Sequence, residues 1–527
     1  MSSLLLVLLS LLPAHGVSAA SASALVIDDD AALVSEFRVY YGKDKNVDQR
    51  RQAVLTLEGI DSLGAVMALT AALEDEDYLV RRATVNVLSA LSNAEGARWL
   101  IDEVLESRKL SKNKILVAGV IEVLGGMGHD FARESLVGYL EDRDLGIRLG
   151  AIGGLGRLGS EIAVLPLTEH VREADPEPAE VIAVLGALSQ IDPGEKALPA
   201  VLLGLSHLDK SVRLAAVKST LDLRLKGAVR TLITMIDGDV DPRVSEDAFE
   251  VLQTLTQRKF EDDSTIWLKW WDRSGPAFEM PDLKKLAEAK KRLAENGSAY
   301  GKGKSSFQGI ETKSENIVFV IDVSKSMEEP FGDPERLART GREYKSLQRL
   351  AIVKEELINT IQSLPESTGF NIVAYATEAE LWKRRASKAN VLNKNNASTW
   401  VGKLKPAGGD GAGFRARMGL SADSASKGQT NTHLALMTAF GEEVDDKKKS
   451  NAFVTSTKDP VDTIFFLTDG EPTVGKTVDM SEIREEVRRV NAYRGVQIHV
   501  IYVGAYGGKE FRLLAEENGG VFVSVGG

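Results

Sequence analysis

An alanine returns every 30 to 35 residues through the first half of the chain, at Ala53, Ala83, Ala118, Ala151, Ala183, Ala216 and Ala248, with successive spacings of 30, 35, 33, 32, 33 and 32. Ahead of several of them stands Asp-x-x-Val/Ile-Arg: Asp77, Val80 and Arg81; Asp144, Ile147 and Arg148; Asp209, Val212 and Arg213. The last copy keeps Asp241 and Val244 but has Ser245 where the arginine falls. A fixed period of this length marks one supersecondary unit stacked on itself, which constrains this half of the chain to a quasi-one-dimensional array. In a stacked helix pair the aspartate caps the second helix, the Val or Ile packs inward, and the small residue lets neighbouring helices approach closely.

The seven copies, between residues 30 and 260, resemble HEAT repeats of a short type that also occurs in bilin lyases. The resemblance implies an α-solenoid with a concave surface for a protein partner. Trp267, Trp270 and Trp271 follow at helical spacing within Ile266–Asp272. They are expected to form a terminal helix whose indoles cover the last repeat, because solenoid ends need a cap. From Pro276 the composition changes to a charged helical run (Lys284, Lys285, Lys290, Lys291, Arg292) and then to a Gly/Ser/Lys-rich stretch, which is expected to be a linker over 276–304.

The N-terminus has the form of an export signal. An apolar run from Leu4 to Leu12 precedes Pro13, Gly16 and the small residues Val17 to Ala24, with cleavage expected after Ala19, Ala22 or Ala24. Only the terminal amine is positive in the leading Met1-Ser-Ser. No other stretch approaches the ~18 apolar residues of a membrane span, so no transmembrane helix is expected after cleavage. The expected location is a bacterial periplasm or the extracellular space. The chain has no cysteine, which excludes disulfides, thiolate zinc sites and cysteine nucleophiles. Its net charge of −11 over 527 residues argues against nucleic acid as a partner, since that binding rests on clustered Lys and Arg.

After residue 304 the periodicity switches to alternating strands and helices. Ile317–Asp322, Phe370–Thr377, Thr463–Thr468, Gln497–Val503 and Val521–Val525 are the expected strands, with amphipathic helices near 345–363, 481–493 and 509–517. Short, nearly all-apolar runs such as Ile317–Ile321 belong to a doubly wound, mostly parallel α/β sheet buried on both faces. Such sheets bind ligands at the carboxyl ends of their strands, where the strand order reverses.

The first strand runs into Asp322-Val-Ser324-Lys-Ser326, which presents a carboxylate and two hydroxyls at alternate positions. Three hard oxygens suit Mg²⁺ rather than zinc. Two further pieces follow in order: Gly428-Gln-Thr430-Asn-Thr432 before a helix start, and Leu467-Thr468-Asp469-Gly470 at the end of another apolar strand. Together they resemble a von Willebrand factor type A domain over residues 305–527, including the Phe307-Gln-Gly-Ile310 lead-in, with its metal-ion-dependent adhesion site. The resemblance implies that Ser324 and Ser326 ligate Mg²⁺ (or Mn²⁺ or Ca²⁺) directly, and that Asp322 and Asp469 supply charge, directly or through water. Thr430 would join or leave the shell, and one coordination position would await an Asp or Glu of a protein partner. Thr432 is the weaker ligand candidate. Lys325, where many relatives have Gly, should point away from the site. Loops 328–344 and 406–428 should flank it.

Gly470-Glu-Pro-Thr-Val-Gly475-Lys476-Thr477 also satisfies a phosphate-loop pattern, which makes a nucleotide-dependent enzyme the rival reading. Against it, the next helix should start near Asp479 or Ser481 rather than at Lys476, and Asp469 and Glu471 would crowd the phosphates. The six histidines show no metal-ligand spacing and no G-x-S-x-G elbow occurs. The expectation is therefore a non-enzymatic, adhesion-type binding protein: signal 1–24, solenoid 25–275, linker 276–304, metal-site domain 305–527, with a second partner on the solenoid. A scaffold with a vestigial metal site is the remaining alternative.

Overall fold

The computed structural model describes residues 19–42, 45–173, 176–296, 305–307, 310–312, 314–331, 344–407, 428–441, 461–503 and 508–524. The apolar run Leu4–Leu12 and most of the two flanking loops lie outside them. The described residues form two compact units, one reaching to Pro176 together with Gly186–Pro193, the other comprising Glu177–Leu185 and the residues from Gly194 onward. No described helix is long and apolar enough to cross a membrane.

The repeat region is helical, and its second helices are Val47–Leu55, Tyr78–Ser89, Lys114–Met127, Leu145–Leu158, Pro178–Ile191, Lys210–Asp222 and Pro242–Thr256. The Asp-x-x-Val/Ile-Arg pattern has a local explanation. Asp77, Asp144, Asp209 and Asp241 each cap the following helix, accepting backbone N–H groups two or three residues on. Their own N–H groups are taken by the residue two before: Asp75 Oδ1 (2.8 Å), Asp142 Oδ1 (2.7 Å), His207 Nδ1 (2.9 Å) and Asp239 Oδ1 (2.8 Å). The arginine folds back on the same turn, with Arg81 donating to Asp75 O, Arg148 to Asp142 O and Arg213 to His207 O. Loop, cap and helix are thus one hydrogen-bonded unit.

The alanine register needs a correction. Ala53, Ala151, Ala216 and Ala248 are fully buried, but Ala83, Ala118 and Ala183 are only half-buried. Counting seven residues from Asp77, Asn113 and Glu177, the residue just before each helix or its first proline, reaches Thr84, Val120 and Val184, all 0% exposed. Burial follows the helix start rather than the residue type, so β-branched side chains fill three of the seven positions.

The helix Ser264–Ser274 carries the tryptophans. Trp267 is 0% exposed, lies edge-on to Phe249 of the last repeat (6.3 Å) and Phe260 (5.0 Å), and donates through Nε1 to Glu261 O (2.9 Å). Within the stretch expected as a linker, Leu283–Asn296 is a helix that buries Leu286 and Ala289 and packs against Pro242–Thr256.

The α/β region opens with a short hairpin, β1 (Ser305–Phe307) and β2 (Ile310–Thr312), at the lead-in. The main sheet contains β3 (Asn316–Asp322), β4 (Gly369–Tyr375), β5 (Ala379–Leu381), β6 (Ser387–Lys388), β7 (Thr463–Thr468), β8 (Gln497–Tyr502) and β9 (Phe522–Ser524). Its order is β5-β4-β3-β7-β8-β9, with β6 also on β4. The ladders β3–β4, β3–β7, β7–β8 and β8–β9 are parallel, and β5 and β6 pair antiparallel with β4. Alternation along β3 separates two cores. Ile317, Phe319 and Ile321 pack with Leu350, Val353 and Leu357 of Arg349–Ser363 and with Val401 of Val391–Gly402. Val318 and Val320 pack with Leu436 of Thr432–Phe440, Val487 of Met480–Asn491 and Leu514 of Lys509–Glu517. Each fully buried aliphatic or aromatic side chain contributes about 1.5–3 kcal/mol, which holds β3 and β7 rigidly at the sheet's centre.

Asp462, one residue before β7, ties the amino ends of the central strands to the last repeats. Its Oδ2 accepts the N–H groups of Glu315 (3.2 Å) and Asn316 (3.0 Å), and Oδ1 accepts from Lys210 Nζ (2.5 Å). Its carbonyl accepts from Arg243 (2.9 Å).

Candidate metal centre

The strand order reverses between β3 and β7: the chain leaves β3 toward β4 on one side and returns to β7 on the other. A crevice at the carboxyl ends of these strands is where an open α/β sheet presents ligand groups. Asp322 is the last residue of β3, and Asp469 directly follows β7.

Asp322 is 0% exposed. Its Oδ1 accepts the N–H of Ser324 (2.8 Å), and Oδ2 accepts from Tyr375 OH (3.2 Å) and Thr468 Oγ1 (3.0 Å). These donors fix the carboxylate, yet burial, and next the charge of Asp469, push its pKa up to about 6. Ser324 Oγ and Ser326 Oγ are 3.0 Å apart, and Ser326 Oγ donates to Asp469 Oδ1 (2.8 Å). The other oxygen of Asp469, Oδ2, accepts from Arg349, the first residue of its helix (2.9 Å). Arg349 also pairs with Glu329 (3.2 Å) and lies 3.4 Å from Ser326 O.

Thr430 reaches this corner through its backbone. Lys325 N donates to Gly428 O (3.0 Å), Thr430 N donates to Thr473 Oγ1 (2.9 Å), and Thr473 N returns to Thr430 O (2.9 Å). A Cβ on Gly428 would lie 2.8 Å from Lys325 Cβ and 2.9 Å from Ala407 O, so the close approach requires glycine. Lys325 is exposed. Asn431 caps the Thr432–Phe440 helix by accepting from Leu434 N (3.1 Å). Thr432 is fully buried and its Oγ1 has no hydrogen-bond partner among the described residues.

Four of the five expected residues therefore converge on one corner, and the segment that carries the fifth, Thr430, is bonded beside it through Gly428 and Lys325. Hydrogen bonds join Asp322, Ser324, Ser326 and Asp469 side chain to side chain or side chain to backbone, whereas Thr430 is linked to its neighbours through its main chain. The sequence reasoning missed Arg349, Tyr375 and Thr468. Thr468 had a signal, being adjacent to Asp469; Arg349 had none, since it stands 120 residues from the carboxylate it grips.

The donor set fits a hard divalent cation. Adjacent oxygens around Mg²⁺ at ~2.1 Å bond length stand about 3.0 Å apart, which matches the separation of the two serine hydroxyls. The donors are hydroxyl and carboxylate oxygens; among the described residues no group of three or more His, Cys, Asp or Glu side chains is placed to hold a metal ion.

The phosphate-loop pattern does not take phosphate-loop form. The helix after it starts at Met480, capped by Asp479 through Ser481 N (2.8 Å), four residues beyond Lys476. Lys476 Nζ pairs with buried Glu486 (2.7 Å), which also bonds His433. Burial raises the Glu486 pKa, but these two partners outweigh it and hold it at about 2. Gly475, at φ +140°, is there for Asn431: a Cβ would meet its Oδ1 at 2.5 Å.

The family of HEAT repeats is matched over residues 41–111, and the von Willebrand factor type A domain over residues 342–523. The second match contains Thr430 and Asp469 and begins after Ser326. Among characterised proteins the chain is similar to human inter-alpha-trypsin inhibitor heavy chain H4, 28% identical over 181 residues, 34% of this chain and 15% of that one. It is similar also to mouse inter alpha-trypsin inhibitor, heavy chain 4, 25% identical over 183 residues, again 34% and 15%. The chain thus spans under a fifth of the length of these relatives. Among solved structures it is similar to an aerotolerance-related membrane protein from Bacteroides fragilis, at 15% identity, covering 40% of this chain and 92% of that one with a TM-score of 0.25.

Proposed function

The chain carries HEAT repeats and a von Willebrand factor type A domain, and from that premise we propose that it is an exported binding protein whose α/β domain captures an acidic group of a protein partner through a bound divalent metal. The observation that carries the reading is the cluster at the switch point: two hydroxyl oxygens 3.0 Å apart, one of them hydrogen-bonded to Asp469 and both flanked by buried Asp322.

Ser324, Ser326 and Thr430 would hold the metal together with Asp322 and Asp469. When bound, Mg²⁺ or Mn²⁺ supplies positive charge and an exchangeable coordination position that a glutamate or aspartate can take. The chain's own residues do the rest. The Asp322 carboxylate is aimed by Tyr375, Thr468 and the Ser324 N–H. Ser326 bridges to Asp469, and the Gly428–Asn431 turn is pinned to both neighbouring segments by Lys325 N and Thr473. The repeats offer a second protein-binding surface, supported by the family resemblance. Export rests on the Leu4–Leu12 run and the small residues after it. No catalytic step is assigned to this arrangement of oxygens.

Calorimetric titration of the full chain with Mg²⁺ or Mn²⁺ tests the reading. Binding heat that disappears in Asp322→Ala is expected, and no heat at millimolar metal would refute it. A pull-down with and without chelator, repeated with Ser324→Ala, then asks whether the partner depends on the site. Recovery of the same proteins in all arms assigns partner binding to the repeats instead.

A further inference from the structure

Among the described residues Arg349 is the guanidinium that the fold places on the carboxylates of the candidate site, and neither the family resemblance nor the sequence pattern assigns it a part. We propose that Arg349 is a resident cation that competes with a divalent metal for Asp469 and thereby sets the metal affinity of the site. The inference rests on the metal reading above.

The geometry is specific. Asp469 divides its two oxygens between two masters: Oδ1 takes the Ser326 hydroxyl, itself a ligand candidate, and Oδ2 takes Arg349 at 2.9 Å. The Asp469 side chain is 0% exposed and that of Arg349 only 18%, so the pair is shielded from solvent screening. The base of the arginine is anchored: Arg349 N donates to Glu329 O (3.0 Å), and Pro330 and Gln348 form a bridge beside it. The same guanidinium reaches Glu329 at 3.2 Å, and that carboxylate is 63% exposed. An alternative partner is therefore within reach when Asp469 is taken by a metal.

Two consequences follow from charge alone. Without metal, Arg349 neutralises one of two neighbouring buried carboxylates and keeps the empty site from repelling itself apart. With metal, the same positive charge opposes a second cation a few ångströms away. Stability of the free site and tightness of metal binding are thus set against each other by one side chain.

Calorimetry of the full chain with Mn²⁺, at low and physiological ionic strength, compares wild type with Arg349→Gln, Arg349→Lys and Glu329→Gln. Arg349→Gln should bind Mn²⁺ about tenfold more tightly while its metal-free melting temperature falls; Arg349→Lys, which keeps the charge, should stay near wild type. Glu329→Gln, at an exposed position, should bind more weakly, because it removes the alternative partner. Heat from wild type with equal or weaker binding in Arg349→Gln overturns the inference and leaves the metal reading standing. If wild type and Arg349→Gln both give no heat, the metal reading falls and the inference with it. Circular dichroism of each variant establishes that it is folded; should Arg349→Gln fail to fold, the direction of the Glu329→Gln shift decides.

Discussion

In the repeats two buried arginines arrive with their carboxylate partners. Arg50 grips Asp75 through two nitrogens, both at 2.9 Å, and Arg213 holds Asp239 in the same fork at 2.7 and 3.0 Å. At the carboxyl ends of β3 and β7 the arrangement is reversed: among the described residues two carboxylates are buried as neighbours with one guanidinium. The first pattern is complete in itself and serves the fold. The second gathers negative charge in an oxygen-lined corner, and that gathering is what supports the proposed cation site.

The contrast can be broken most directly by Arg50→Ala. Leaving Asp75 buried and unpaired should cost about 3–5 kcal/mol in denaturant unfolding of the repeats. Asp322→Asn, which keeps the shape and removes a charge, should by comparison leave the metal-free chain as stable as wild type or more so. If both variants destabilise equally, the site is as self-sufficient as the repeats and the distinction fails. Next in size is the effect of metal under the proposed reading: Mg²⁺ at a hundred times its dissociation constant should stabilise the α/β region by about 2.7 kcal/mol. Hydrogen exchange over β3 and β7 should show the gain, and Asp322→Asn should show none.

A third test uses pH. His499 on β8 is 2% exposed, accepts from Val521 N through Nδ1 (3.1 Å) and stacks on Phe465; burial, with the charge of Arg243, pushes its pKa down to about 3. The unfolded chain takes up the proton near 6.5 and the folded chain does not. The stability this group contributes is therefore whole above pH 6.5 and falls as pH drops toward 3, by about 1.4 kcal/mol per pH unit. Melting temperatures should fall between pH 7 and pH 4 accordingly, and His499→Gln should remove that part of the pH dependence. The smallest expected effect sharpens the comparison from the other side. Asp77 and Asp479 cap helices in the two regions with the same 2.8 Å bond, so Asp77→Ala and Asp479→Ala should each cost about 1 kcal/mol. Where no charge balance is at stake, the two regions obey one rule.

What could be read from the sequence was whatever has a period or a strong terminus. Thr463–Thr468 is legible as a strand, a helix near 509–517 likewise, and a helix start at Asp479 or Ser481, because apolar runs and caps are local signals. The helix Val391–Gly402 was not foreseen: its Asn-rich sequence has poor helix propensity, and burial of Ala397 and Val401 with the cap from Asn390 overrides it. The edge strands β5 and β6 were missed because three and two residues leave no alternation to detect. The alanine register slipped at Ala83, Ala118 and Ala183 because packing is counted from the cap, and composition alone does not show where a helix begins. The site's five residues were visible as motifs, but its charge balance was not, since Arg349 meets Asp469 only in three dimensions.

Strand β7 has an aspartate at each end with a different attachment. Asp469 belongs to the candidate site, while Asp462, before the first residue, is fastened to Lys210 and Arg243 of the last repeats. Six residues of strand, about 20 Å, lie between, with β3 and β8 zipped along both sides in parallel register. A pull on anything held at the site would run along this strand as tension and meet both ladders in shear, where many hydrogen bonds must give way together. Under the proposed binding function, the repeat helices of Lys210 and Arg243 would receive that load at the strand's far end, with β7 acting as a tie rod.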